Sequence, residues 1–126
     1  MRLGSGGMAS VYLARTKAMG GFERFVAVKV MHPFLASVPS AADSFLAEAK
    51  LSARIYHPNV VSVTDIGRDD AGLFLVMEYV EGDSLWALMT SAIENSSPIP
   101  RHVGLRILCD ALLGLHAAHE LRGDSG

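Results

Sequence analysis

One cation interrupts an apolar run in this chain: Val26-Ala27-Val28-Lys29-Val30-Met31 is hydrophobic on both sides of Lys29. β-Branched residues in such a run predict a strand, and apolar side chains on both of its faces predict one covered from two sides. An ammonium buried there without a partner costs several kcal/mol, more than a single apolar neighbour returns. The fold must therefore bring Lys29 a partner, or set it on an edge strand where a lysine blunts unwanted pairing. By the two-residue period of a strand, Ala27 shares the face of Lys29, so a small side chain beside the cation leaves room for a ligand.

A counter-charge is available on the next element. Residues 40–56 are rich in Ala, Leu, Glu, Lys and Arg and predict a helix, opened by the capping-box-like pair Ser40 and Asp43 and stopped by His57-Pro58-Asn59. Phe45, Glu48, Ser52 and Ile55 recur on it at helical spacing, so Glu48 points the way the apolar residues do. A glutamate on an Ala-rich helix is more often solvated, but pairing it with Lys29 makes both placements inexpensive.

Around these two elements the chain reads as α+β. Residues 10–16 and 24–31 are strands about a turn at Gly20-Gly21, and 60–66 and 73–80 form a second hairpin through the turn residues 67–72. A short helix over 84–89 follows, and Asn95 to Pro100 break the chain. A last helix spans 101–121, with Leu105, Leu108, Leu112 and Leu115 along one face. If the first residues add a partial strand, the order is β-β-β-α-β-β-α-α, an antiparallel sheet of about five strands with one packed helix and two helices after it.

Leu3-Gly4-Ser5-Gly6-Gly7-Met8-Ala9-Ser10-Val11 is a glycine-rich segment whose backbone can approach an anion closely. It is also compatible with a plain hairpin turn. Gly4, Gly6 and Ala9 fit a dinucleotide-binding fingerprint, but that motif needs a strand before it and a helix after it, whereas SVYLART reads as a strand. No Gly-Lys-Ser/Thr follows, so the Walker pattern fails.

Taken in order, these segments resemble the protein kinase family, especially the eukaryotic-like Ser/Thr kinases of bacteria, and the resemblance covers essentially the whole chain. It implies a kinase N-lobe over 1–80 and the hinge exit with the first helices of an incomplete C-lobe over 81–126. It further implies that Gly4, Gly6 and Val11 belong to the nucleotide-covering loop and that Lys29 holds ATP phosphates while paired with Glu48. Met77-Glu78-Tyr79-Val80-Glu81-Gly82 resembles the hinge, with Met77 as gatekeeper and backbone groups of Glu78 and Val80 on the adenine edge. Leu3, Val11 and Ala27 would sandwich the adenine, with Ser84 near the ribose. His57-Pro58-Asn59 is similar to the family's turn after the helix. Ala9 replaces the third loop glycine, a change of little cost where the backbone angle is negative.

The activity implied is transfer of the γ-phosphoryl of Mg-ATP to a protein hydroxyl. The alternative is a catalytically inactive nucleotide- or protein-binding module, because the sequence reaches Gly126 before any H-R-D-x-x-x-x-N or D-F-G segment. Without that base and those Mg2+ ligands the chain alone is expected to transfer no phosphate, and the remainder of a kinase domain is expected as its partner, with a protein substrate.

Composition narrows the rest. Hydrophobic residues at 50% against 19% charged argue for a globular chain, and a net charge of -2 with scattered Lys and Arg argues against nucleic acid or a polybasic membrane anchor as partner. No run suits a membrane span or signal peptide, so the expected location is cytoplasmic. Cys109 reads as a small core residue, and Trp86 and Met89 as packing residues. His116 and His119 are two ligands without a third, so no metal site is expected in the chain itself. Gly123-Asp124-Ser125-Gly126 matches a serine-protease segment by coincidence.

Overall fold

The computed structural model describes residues 1–17, 20–70 and 72–121; the Gly123 to Gly126 segment lies outside them. Five antiparallel strands form one sheet in the order β1-β2-β3-β5-β4, with β1 at Arg2–Ser5, β2 at Ala9–Lys17, β3 at Glu23–Met31, β4 at Val63–Asp69 and β5 at Gly72–Glu78. Helix α1 is Pro39–Ser52, α2 is Leu85–Glu94 and α3 is Arg101–His119, with a single 3-10 turn at Pro33–Leu35 between β3 and α1. The element order and the α+β class are those expected.

Alternation along the strands selects the core. Leu73 and Leu75 on β5, Met31 on β3 and Ala9 on β2 are buried against Phe45 and Ala49, which sit one helical turn apart on α1. Gly20 and Gly21, both with positive φ, turn β2 into β3 at the end of a nine-residue register from Ala9 opposite Met31 to Lys17 opposite Glu23. Glu23 closes that hairpin by accepting from Arg15 at 2.8 Å and Lys17 at 3.3 Å.

Several boundaries differ from the expectation, each for a local reason. Helix α1 starts one residue early: Val38 is its N-cap without a side-chain bond, and Pro39 takes the first helical position, where its fixed φ suits and its missing N–H costs nothing. The Ser40 and Asp43 capping box is therefore not formed. The helix ends at Ser52, before His57-Pro58-Asn59, so Ile55 is not on it. Helix α2 begins after Ser84, whose Oγ accepts from the Ala87 N–H at 3.2 Å, and continues to Glu94, beyond the expected end. Asn95 then donates from its side chain to the Ser91 carbonyl at 2.8 Å.

The β4 strand starts at Val63 because the residues before it fold as a docking turn. Asn59 N–H donates to His57 Nδ1 at 3.1 Å, the Val60 N–H donates to the His57 carbonyl at 3.0 Å, and Asn59 Nδ2 donates to the Asp110 carbonyl on α3 at 2.9 Å. Gly67, expected in a turn, lies inside β4 opposite Phe74, whose ring covers it so closely that a Cβ there would sit 2.4 Å from the ring. The β4–β5 register runs on to Asp69 opposite Gly72, so pairing takes up positions that the sequence suggests for the turn.

Helix α3 meets the rest of the chain along its small side. Gly114 is its buried residue, and a Cβ there would lie 2.9 Å from the Asn59 carbonyl oxygen and 3.1 Å from Val60. Leu105, Leu108, Leu112 and Leu115 all face outward. Cys109 is exposed as well, and Trp86 on α2 is 78% exposed, so neither packs as expected. Among the described residues no helix is long and apolar enough to cross a membrane.

Candidate functional site

The sheet register aligns the singled-out residues across four strands. Gly4 on β1 stands opposite Val11 on β2, Val11 opposite Lys29 on β3, and Lys29 opposite Leu75 on β5. Neighbouring strands lie under 5 Å apart, so the row puts the glycine-rich loop two strands from the lysine. That loop is the β1–β2 connection, closed by the Gly6 N–H donating to the Ala9 carbonyl at 2.9 Å and by a 2.9 Å bond between the hydroxyls of Ser5 and Ser10.

Lys29 Nζ donates to Glu48 Oε1 at 2.5 Å, and its ammonium stands 5.6 Å from the centre of the Phe45 ring. The lysine side chain is 22% exposed and the glutamate 53%, so the pair is set at a mouth rather than inside a core. Such a pair adds little to stability, because a half-solvated ion pair is typically worth under about 1 kcal/mol. Its consequence is geometric: two strongly hydrated groups are fixed beside open space, with one ammonium proton directed at a carboxylate and the others left for a ligand. Helix α1 delivers the carboxylate because Phe45 and Ala49, three residues before and one after Glu48, are the residues it buries.

Two residues along β3, on the same face, Ala27 opens onto a cavity of 630 Å³. Leu3, Met77, Glu78, Val80 and Ser84 line it with Ala27. The cavity thus gathers residues from β1, β3, the end of β5 and the N-cap of α2. Gly82, with φ +139, makes the turn between Val80 and Ser84, a backbone state in which any side chain is strained. The Glu78 N–H is committed to the Ser62 carbonyl at 2.9 Å. Gly4, Gly6 and Val11 do not line this cavity; they lie along the row towards Lys29.

Val61, Tyr79 and Asp83 also line the cavity, and the sequence reading did not single them out. Val61 reads from the sequence as a strand residue of ordinary apolar character; only the docking turn through Asn59 carries it to the cavity edge. A second cavity of 540 Å³ opens between Leu46, Ala53, Val63 and Leu73 and contains none of the singled-out residues.

Residues 1–122 match the family model described as protein kinase domain. Among similar proteins, the Tyrosine-protein kinase MasK of Myxococcus xanthus is 37% identical over 99% of this chain and 19% of its own length. The Serine/threonine-protein kinase PksC of Streptomyces coelicolor is 37% identical over 94% of this chain and 22% of its own. The chain therefore spans about a fifth of the length of these relatives. Among solved structures, the Mycobacterium tuberculosis PknI kinase domain superimposes with a TM-score of 0.70 at 29% identity, covering 94% of this chain and 46% of that domain. A glycine loop, a strand lysine met by a helix carboxylate and a cavity at the end of β5 thus coincide with a match over nearly the full sequence, and the chain belongs to the protein kinase family.

Proposed function

We propose that residues 1–80 are the ATP-binding lobe of a protein kinase that phosphorylates serine or threonine, and that residues 81–126 begin its second lobe. The observation that carries this is the Lys29–Glu48 pair, fixed at 2.5 Å beside open space and two residues from the 630 Å³ cavity. In this reading Leu3 and Ala27 hold the adenine between apolar surfaces, Val11, which is outside the cavity lining, flanks the nucleotide on the side towards Lys29, and Met77 bounds the back of the pocket. The Glu78 carbonyl and the Val80 backbone meet the adenine edge; the Glu78 amide is already used within the sheet. Ser84 keeps its hydroxyl proton for a ribose while its oxygen caps α2.

Gly4 and Gly6 let the loop backbone close on the phosphates, and the Lys29 ammonium neutralises part of their charge. ATP carries Mg2+ to such a site, and no residue of this chain is assigned to hold the metal. The 126 residues contain no H-R-D or D-F-G segment, so the chemistry assigned to them ends at positioning the nucleotide. Hydroxyl choice stays with serine and threonine on the weight of the relatives' names, although one similar protein is named a tyrosine kinase. We propose that the outward leucines of α3 seat the remainder of the kinase domain.

Titration of the chain with Mg-ATP tests the reading. Wild-type protein is expected to bind, and Lys29→Met to bind at least about tenfold more weakly at unchanged thermal stability, since a charge-assisted bond to phosphate is lost. Equal affinity of the two would mean that Lys29 does not touch the nucleotide. Transfer of labelled phosphate to a protein by the chain alone would show that more catalytic machinery is present than is assigned here.

A further inference from the structure

The tip of the glycine-rich loop has almost nothing packed on it. A Cβ added at Gly7 would meet no atom within 4 Å, and one at Gly6 would meet only the Ala9 carbonyl oxygen, at 4.0 Å. A peptide unit flanked by two glycines rotates readily, because neither side has a Cβ to restrict it. Its orientation matters: in a trans peptide the C=O and N–H point in opposite directions, so a flip would turn a carbonyl dipole towards phosphate where an N–H is needed.

One side chain opposes that flip. His32, just past the end of β3, donates from Nε2 to the Gly6 carbonyl at 2.9 Å; since a carbonyl only accepts, the ring carries the proton. Its backbone N–H donates to the Met8 carbonyl, also at 2.9 Å, so the same residue holds the Gly6–Gly7 peptide through its ring and the Met8–Ala9 peptide through its main chain. The imidazole is itself stacked on Phe34, with 5.4 Å between ring centres and 14° between planes, which fixes its direction. By strand alternation His32 lies on the face opposite Lys29. With the Gly6 carbonyl drawn to the His32 side, the Gly7 N–H is left pointing away from it, towards the lysine side.

We propose that His32 is a positioning residue for phosphate recognition: its ring bond to the Gly6 carbonyl locks the Gly6–Gly7 peptide with its N–H towards the nucleotide. The proposal rests on the ATP-binding reading above. It separates His32 from a merely structural residue, because its effect should scale with phosphate and not with adenosine.

The test is titration of the full 126-residue chain and its variants with Mg-ATP and with adenosine. His32→Ala and the bulk-preserving His32→Leu are expected to weaken ATP binding about three- to tenfold, the worth of one hydrogen bond, and to leave adenosine binding unchanged. His32→Gln, which restores an N–H donor at similar reach, should recover most of the loss. Wild-type ATP affinity in both donor-less variants would overturn the inference, as would parallel loss of adenosine or a Gln variant no better than Ala. A wild-type chain that binds adenosine and ATP equally would overturn the phosphate-site reading itself, and a chain that binds neither would overturn the nucleotide reading and this inference with it.

Discussion

Phe45 on α1 is 1% exposed, whereas Leu112 on α3, an apolar side chain of similar helical setting, is 62% exposed. The contrast extends to the whole of both regions. Sheet and α1 close a core around Met31, Phe45 and Leu75, while α2 and α3 present Trp86, Leu108 and Leu112 outward and α3 attaches through Asn59 and Gly114. Periodicity fixes which residues of a helix lie together, and only a neighbouring layer determines whether that face is inside. The nucleotide reading places the rigid half under the phosphates, where a loosely held lysine would position nothing.

The largest test of the contrast is a pair of truncations. Phe45→Ala should cost about 3–5 kcal/mol, enough to unfold most of the sheet region, and Leu112→Ala should change stability by under about 0.5 kcal/mol. Urea midpoints of both variants check this, and similar losses would erase the distinction drawn between the two halves. Next in size is Gly114→Val, whose side chain must push the Asn59 backbone from 2.9 Å and should cost about 1–3 kcal/mol. Amide exchange should rise along α3 and leave β2 and β3 protected; uniform loss would show that the halves fold as one unit.

Smaller still is Gly104→Ala on the same helix, where an added Cβ meets nothing within 4 Å. It should raise thermal stability by up to about 1 kcal/mol through helix propensity alone. A loss would mean that this face of α3 is covered after all.

Much of the sheet region was legible in advance because its signals are local. The β-branched and aromatic runs of β2, β3 and β5, the Gly20-Gly21 turn and the Ala-rich helix each announce themselves within ten or so residues. The Lys29 and Glu48 placements were legible as well, since a cation in an apolar strand demands an answer. What was missed depended on distant partners. Gly67 reads as a turn residue until Phe74 is seen lying over it, and Val60 and Val61 read as strand until Asn59 is seen bonded to α3. The Ser40 capping box lost to Pro39, which needs no donor at the first helical position. His32 carried no signal, because nothing near it in the chain says that a loop carbonyl 26 positions earlier will reach its ring.

By itself the sequence determined the order of elements, the family, and the need for a partner at Lys29, since each follows from local patterns and their order along the chain. Tertiary structure alone decided which apolar faces are inside, which backbone groups at the cavity remain free, and which side chain steadies the glycine loop. Those depend on distances between residues far apart in the chain, and a one-dimensional pattern holds periods and propensities but no such distances.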